Sequence, residues 1–295
     1  DSNAKVSIVQ PNIDQLRWGN NSLENAFAVS ESMTVSAAQQ KPRVIVLPES
    51  ALLCYLLRRG DLSRRVRGWS QTTRIPLVLG SLHWEKPPEN SAYRYHVYNT
   101  ALLLDTLGHF KTYFKAKLVP FSEAMPFEGL FPILSRVNLG EADFQRGVEH
   151  TTFDLNEGMV GGPLVCYEVI FPDFVRRRVL AGATVLVNIT NDGWFGKSTA
   201  AYHHASMARM RCIENGVSMI RSANSGFSML VDPYGRVLGI TRLYERSILT
   251  GEIPTGRVQT LYTRFGDWPV ALSGFLLFIA VLLGVVGRLR RVHRS

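Results

Sequence analysis

Three stretches of the sequence place a reactive side chain where an apolar run gives way to polar residues. They are VIVLPES, which carries Glu49, YFKAKLVPFSE, which carries Lys115, and LVCYEVIF, which carries Cys166. Glu49 follows four apolar residues and a proline, so its carboxylate emerges from low-dielectric surroundings that raise its pKa toward usefulness as a general base. Cys166 closes the apolar run GPLVC just before a predicted helix, where a helix N-terminus and a nearby cation would stabilise a thiolate. Lys115 offers an ammonium to the oxyanion of a tetrahedral intermediate. Taken singly, each has a plainer reading: a capping glutamate, a surface lysine, a packed thiol. Together, a base, a cation and a thiol at three separate strand ends form the minimum set for cysteine-based acyl transfer.

Other familiar chemistries are excluded by counting. GWFGKS at Gly193–Ser198 resembles a phosphate loop, but Asn191 stands where the first glycine belongs. There is no G-x-S-x-G, G-x-G-x-x-G or H-E-x-x-H, and the adjacent His203 and His204 would diverge by about 100° on a helix. The three cysteines, Cys54, Cys166 and Cys212, are an odd number at wide spacing with no Cys-x-x-Cys pair, which argues against a disulfide framework and a cysteine zinc site. We expect no metal and no cofactor, and we assign Cys54 and Cys212 to inert packing.

The elements that must position these groups alternate. Short β-branched runs predict strands at Lys5–Gln10, Val44–Pro48, Leu77–Leu82, Thr100–Asp105, Lys111–Ala116, Gly162–Tyr167 and Thr184–Ile189. Amphipathic stretches predict helices over Leu23–Gln39, Leu62–Thr72, Pro172–Ala181 and Ala200–Gly216, with Asp61 and Ser198 as N-terminal caps. Ser218–Asp232 and Val237–Gly251 read as two strands of a hairpin turning at DPYGR. This alternation implies an α/β sheet protein. No linker or repeat interrupts the first 265 residues, so they read as one domain.

The chain has 295 residues, 46% of them hydrophobic and 19% charged, a composition that excludes disordered and fibrous classes. Its net charge of +9 is concentrated in part at the end, where Arg288, Arg290, Arg291 and Arg294 follow the uncharged stretch Trp268–Gly287. That stretch has the length of a bilayer-spanning helix, and flanking arginines favour the cytoplasmic side. Residues 1–265 are then expected outside the cytoplasm, with 268–287 as the span and 288–295 as a basic cytoplasmic tail. Asp1–Asn12 lacks the pattern of a signal peptide, so export calls for upstream spans or a signal already removed. A second basic group, Arg58, Arg59, Arg64, Arg65, Arg67 and Arg74, reads as a solvated face, and no nucleic-acid partner is expected.

The order Glu, Lys, Cys in these contexts resembles the nitrilase (carbon–nitrogen hydrolase) superfamily, which implies an α-β-β-α sandwich and a catalytic triad of Glu49, Lys115 and Cys166. Within it the chain is similar to the apolipoprotein N-acyltransferases, through VSIVQPNIDQLRW, LPES, YNTALLLD, YFKAKLVPFSE, VCYEVIF, NDGWFG, HHASMARMRCIENG and RSANSGFSMLVDPYG. The expected architecture is therefore a nitrilase-like sandwich followed by one C-terminal transmembrane helix. LPES stands where Trp-Pro-Glu-Thr is commoner in that family, and the multi-span portion that precedes the family's catalytic domain is not in this sequence.

The resemblance also implies supporting or substrate-binding roles for Trp18, Glu123, Tyr167, Glu168 and Trp194, with Glu123 or Glu168 orienting Lys115. As bare residues, the tryptophans would be core aromatics and Glu123 a surface charge. The implied partners are a phospholipid acyl donor, a diacylated apolipoprotein acceptor and the bacterial inner membrane, with catalysis on the periplasmic side. The apolar side chains of Phe121–Leu134 would meet lipid or pack on the sandwich. Two other readings use the same residues: a membrane-tethered amidase or nitrilase with water as second nucleophile, and an inactive sandwich serving as a membrane-anchored binding module.

Overall fold

The computed structural model describes residues 3–14, 20–52, 54–87, 95–124, 144–148, 151–196 and 198–292. Twelve strands and six helices follow one another in the order β1 (Asn3–Gln10), α1 (Asn20–Ala38), β2 (Ile45–Val46), α2 (Gly60–Thr73), β3 (Leu77–Glu85), β4 (His96–Leu104), β5 (Phe110–Phe114), β6 (Phe153–Asp154), β7 (Val160–Val165), α3 (Pro172–Leu180), β8 (Val185–Thr190), α4 (Ala200–Asn215), β9 (Ser218–Ala223), β10 (Met229–Val231), β11 (Val237–Ile240), β12 (Ser247–Pro254), α5 (Leu261–Phe265) and α6 (Trp268–Val292) among the described residues. They form two six-stranded sheets, ordered β12-β1-β2-β3-β4-β5 and β11-β10-β9-β8-β7-β6.

The apolar runs are continuous because the sheets are buried on both faces. Along β8, Val185, Val187 and Ile189 point into the layer between the sheets, where they meet Val6, Ile8, Val46 and Val78 of the other sheet. Leu186, one residue out of phase, packs outward beneath Phe174, Val179 and Ala208 of α3 and α4. On the opposite side Phe27 of α1 and Val66 and Trp69 of α2 cover Ile45, Leu47, Leu77 and Leu79. The layers are thus helix, sheet, sheet, helix, the sandwich that the family resemblance implied.

Pairing departs from local expectation at the C-terminal half. The stretch Ser218–Asp232 is two strands folded on each other, with Met229 opposite Arg221. The turn at DPYGR does join a hairpin, of β10 and β11. The rest of the predicted partner leaves that sheet altogether: β12 pairs antiparallel with β1 along its whole length, Asn3 opposite Pro254 and Gln10 opposite Ser247. Asp61 is not the cap of α2, since Arg59 holds that position and the Asp61 carboxylate accepts from the Arg59 guanidinium instead. Ser198 does assist α4, its hydroxyl accepting from the Ala200 N–H, one residue before the capping position at Thr199.

Three parallel neighbours in each sheet set the location of the site. β1, β2 and β3 run together, as do β7, β8 and β9, and two antiparallel steps bring β5 back into the direction of β3. Glu49 follows β2, Lys115 follows β5 and Cys166 follows β7, so all three lie past the carboxyl ends of their strands, where ligand sites of α/β sheets gather. At the chain's other end α6 stands clear of the protein, with Trp268–Val286 exposed and apolar for 19 residues. At 1.5 Å per residue this covers about 28 Å, enough in length and composition to cross a bilayer core.

Candidate active site

Glu49, Lys115 and Cys166 line one cavity of about 860 Å³, together with Glu123, Tyr167, Asn191, His203 and His204 and the apolar side chains of Val119, Ile170, Phe195 and Met207. Glu49 and Cys166 both lie at local distortions of the chain. Ser50, immediately after Glu49, and Cys166 itself both have left-handed backbones, at φ 49°. The turn at Glu49 presses so closely on β3 that a Cβ at Gly80 would lie 2.5 Å from the Glu49 Cα. Behind Lys115, the Gly147 N–H donates to the Lys115 carbonyl at 2.8 Å. A Cβ at Gly147 would collide with the Phe114 carbonyl.

Lys115 is buried, 1% exposed, between two carboxylates. Its Nζ donates to Glu123 Oε1 at 2.7 Å and lies 3.7 Å from Glu49 Oε1. Burial works against its charge, but Glu49 and Glu123 outweigh burial and hold its pKa above the ordinary lysine value. The two carboxylates therefore favour the ammonium form. Asn99 Nδ2 bridges the carboxylates, donating to Glu49 Oε1 at 2.6 Å and Glu123 Oε1 at 3.2 Å. The second Glu49 oxygen accepts from the Asn191 N–H at 2.9 Å, and the second Glu123 oxygen from the Val119 N–H at 2.9 Å.

Desolvation raises the Glu49 pKa above its usual value, with Lys115 opposing and Glu123 adding to the rise. Burial and the Glu49 charge push the Cys166 thiol up to about 12, against the pull of Lys115. Burial beside Glu49 thus disfavours the thiolate that a helix end was expected to stabilise. Only a five-residue 3-10 turn, Cys166–Ile170, follows the thiol, and burial beside a carboxylate exceeds the effect of one cation. The arrangement suits a thiol that surrenders its proton to Glu49 as it attacks. Cys54 and Cys212 are buried outside the cavity, and burial raises both thiols, that of Cys54 to about 12.

The two glutamates left open by the sequence divide the work. Glu123, far from being a surface charge, is buried and holds the Lys115 ammonium. Glu168 never touches that ammonium. Its Oε1 accepts from Tyr113 OH at 2.6 Å, the Ala116 N–H at 2.7 Å and the Lys117 N–H at 3.0 Å, while Oε2 accepts from the Val165 N–H at 2.8 Å. One side chain thus ties the segment bearing Lys115 to the segment bearing Cys166. Tyr167 lines the cavity and stands edge-on to Phe171 at 5.1 Å between ring centroids. Trp194 falls in the 3-10 turn Asp192–Phe195 beside the cavity, whereas Trp18 and residues 125–134 of the apolar stretch Phe121–Leu134 lie outside the described residues. Asn99 and Asn191, which lie in YNTALLLD and NDGWFG, join the site through contacts to Glu49 that no local pattern in the sequence signals. Among the described residues no group of three or more His, Cys, Asp or Glu side chains is arranged to hold a metal ion.

A carbon-nitrogen hydrolase family profile matches residues 5–263, which include all of these groups. The chain belongs to the carbon-nitrogen hydrolase family. Among named relatives, it is 36% identical over 297 residues to the apolipoprotein N-acyltransferase of Geobacter metallireducens, covering 99% of this chain and 55% of the relative. The apolipoprotein N-acyltransferase of Bradyrhizobium diazoefficiens is 33% identical, covering 98% of this chain and 55% of the relative. The chain thus spans about half the length of these relatives. Solved structures share the fold: a variant amidase of the nitrilase superfamily from Nesterenkonia has a TM-score of 0.63 at 20% identity, covering 85% of this chain and 90% of that one. The NitFhit protein of C. elegans has a TM-score of 0.66 at 22% identity, covering 90% of this chain and 64% of that one.

Proposed function

We propose that this chain carries the catalytic part of an apolipoprotein N-acyltransferase, which moves a fatty acyl chain from a membrane phospholipid to the α-amine of an N-terminal S-diacylglyceryl cysteine. The observation that carries the reading is the cavity. It joins a base, a buried ammonium and a thiol to walls of Val119, Ile170, Phe195 and Met207, in a protein that also bears an exposed apolar helix of bilayer length. Its volume lies toward the upper end of ordinary ligand pockets, which run from about 300 to 1,000 Å³. The relatives named for this activity support the same reading.

The chemistry proceeds in two halves. Glu49 takes the Cys166 proton as Sγ attacks the ester carbonyl, and the oxyanion that forms is neutralised by Lys115. The intermediate collapses with cleavage of the ester C–O bond, Glu49 returns the proton to the departing lysophospholipid oxygen, and a Cys166 thioester remains. The acceptor amine then attacks the thioester, Glu49 removes its proton, the C–S bond breaks, and the thiolate is reprotonated as the amide product leaves. Residues 1–265 form the catalytic domain, 268–287 the span and 288–295 a cytoplasmic tail, which puts the cavity on the periplasmic side of a bacterial inner membrane.

Full-length protein in vesicles of labelled phospholipid, supplied with a diacylated lipopeptide, tests the proposal. The expected result is a fatty acyl mass on the Cys166 peptide, release of lysophospholipid and a triacylated product. Absence of all three, with hydrolysis of small amides instead, would reject the transferase reading in favour of the membrane-tethered hydrolase.

A further inference from the structure

Beneath Cys166 lies a second polar cluster that the reaction above does not use. Asn188 of β8, Asp192 in the turn beyond it, His204 of α4 and Arg221 of β9 are all buried. Arg221 donates through Nη1 to Asn188 Oδ1 and through Nη2 to Asp192 Oδ2 at 2.9 Å. Thr190 donates its hydroxyl to Asp192 Oδ1 at 3.0 Å. A salt-bridged cluster of this kind is costly to desolvate, so stability alone is a weak reason for it.

His204 links the cluster to the nucleophile. Its Nε2 lies 3.1 Å from the Cys166 carbonyl oxygen, and its Nδ1 lies 2.9 Å from Asp192 Oδ1 and 3.1 Å from Arg221 Nη2. A carbonyl only accepts, so Nε2 must carry a proton. At Nδ1 the neighbours allow either state: the guanidinium donates to a bare nitrogen, or a protonated nitrogen donates to Asp192. The bond from Nε2 to the carbonyl is the same in both. What it holds is a residue at φ 49°, a backbone setting that a non-glycine residue keeps only when its surroundings impose it.

We propose that His204, fixed by Asp192 and Arg221, is a positioning residue that grips the Cys166 main-chain carbonyl and so aims Sγ at Glu49 and Lys115. The inference rests on the reading of Cys166 as nucleophile. It concerns the aim of the thiol, which can be measured without any acyl donor.

The test compares His204→Gln with His204→Asn in the full chain. A glutamine amide nitrogen reaches the place of Nε2 and restores the donor to the carbonyl, whereas an asparagine nitrogen reaches only the place of Nδ1. The readout is the rate at which iodoacetamide alkylates Cys166, followed by mass spectrometry of its peptide, with thermal melting as the control for folding. We expect His204→Asn to slow alkylation by about 10–100-fold, the scale of a nucleophile misplaced by about an ångström, and His204→Gln to recover most of that loss. Equal rates in all three proteins, or equal losses in both variants, would overturn the proposal. Nitrogen NMR of histidine-labelled wild-type protein gives a measurement independent of variant folding. A protonated Nε2 coupled to the Cys166 carbonyl carbon is expected, and an unprotonated Nε2 would overturn the proposal regardless of the variants. If Cys166 acquires no acyl group from phospholipid while the alkylation contrast holds, the transferase reading fails and the positioning role stands.

Discussion

Replacing Glu168 by glutamine tests whether the tie between the Lys115 and Cys166 segments matters more than the charge that forms it. Three donors converge on Oε1 and one on Oε2. A glutamine would keep its carbonyl on the more crowded side and turn its amide nitrogen toward the Val165 N–H. Two donors then face each other in a buried site. Losing a hydrogen bond to a charged group costs about 1.5–3 kcal/mol, and the unpaired Val165 N–H adds to that. Against this, burial already disfavours the Glu168 carboxylate and raises its pKa, so removing the charge recovers part of the loss. The net is about 2 kcal/mol, or a melting point lower by about 4–8 °C for a domain of this size. Because Val165 directly precedes Cys166, the proposed acylation of that thiol should slow by about 10–100-fold even at temperatures where the protein is fully folded. Melting curves and the acyl mass on the Cys166 peptide measure the two effects separately. A Glu168→Gln protein that melts and acylates like wild type would refute the reasoning. Loss of stability with an unchanged acylation rate would show that Glu168 supports the fold and not the site.

Cys166→Ser should abolish phospholipid turnover, since Glu49 is too weak a base for an alcohol, while Cys54→Ser and Cys212→Ser keep it; lysophospholipid release distinguishes the three. Lys115→Arg should lose activity about as completely as Lys115→Ala, because a planar guanidinium has no room between Glu49 and Glu123; a wild-type rate in the arginine variant would leave Lys115 only a general positive field. The acid limb of the pH–rate profile should lie above the ordinary glutamate value of 4.5, because Glu49 must be ionised to act and burial raises its pKa. A limb at or below 4.5 would assign the base elsewhere.

Much of the frame is legible in the local sequence, because local patterns report local burial. The runs around Ile45, Leu79, Leu164 and Val187 are apolar on both phases of a strand, and only a sheet covered on both faces accounts for that. Such runs also located Glu49, Lys115 and Cys166 at strand ends. The apolar stretch beginning at Trp268 declares itself by composition alone.

What the chain pairs with at long range was decided only by the tertiary structure. The segment from Val237 to Gly251 reads as one strand, yet β11 stays with β10 while β12 crosses to β1, some 240 residues distant in the chain, because that is where its backbone donors find acceptors. Glu123 and Glu168 look alike as acidic residues near the triad. Their difference, one on an ammonium and the other on four donors from two segments, exists only once β5 and β7 are brought together. Asn99 and Asn191 reach Glu49 across separations of 50 and 142 residues, and no spacing within a motif carries such a contact. The protonation state of Cys166 has the same origin. Burial, Glu49 and Lys115 set it jointly, and the balance among opposing charges follows from distances that only the folded chain defines.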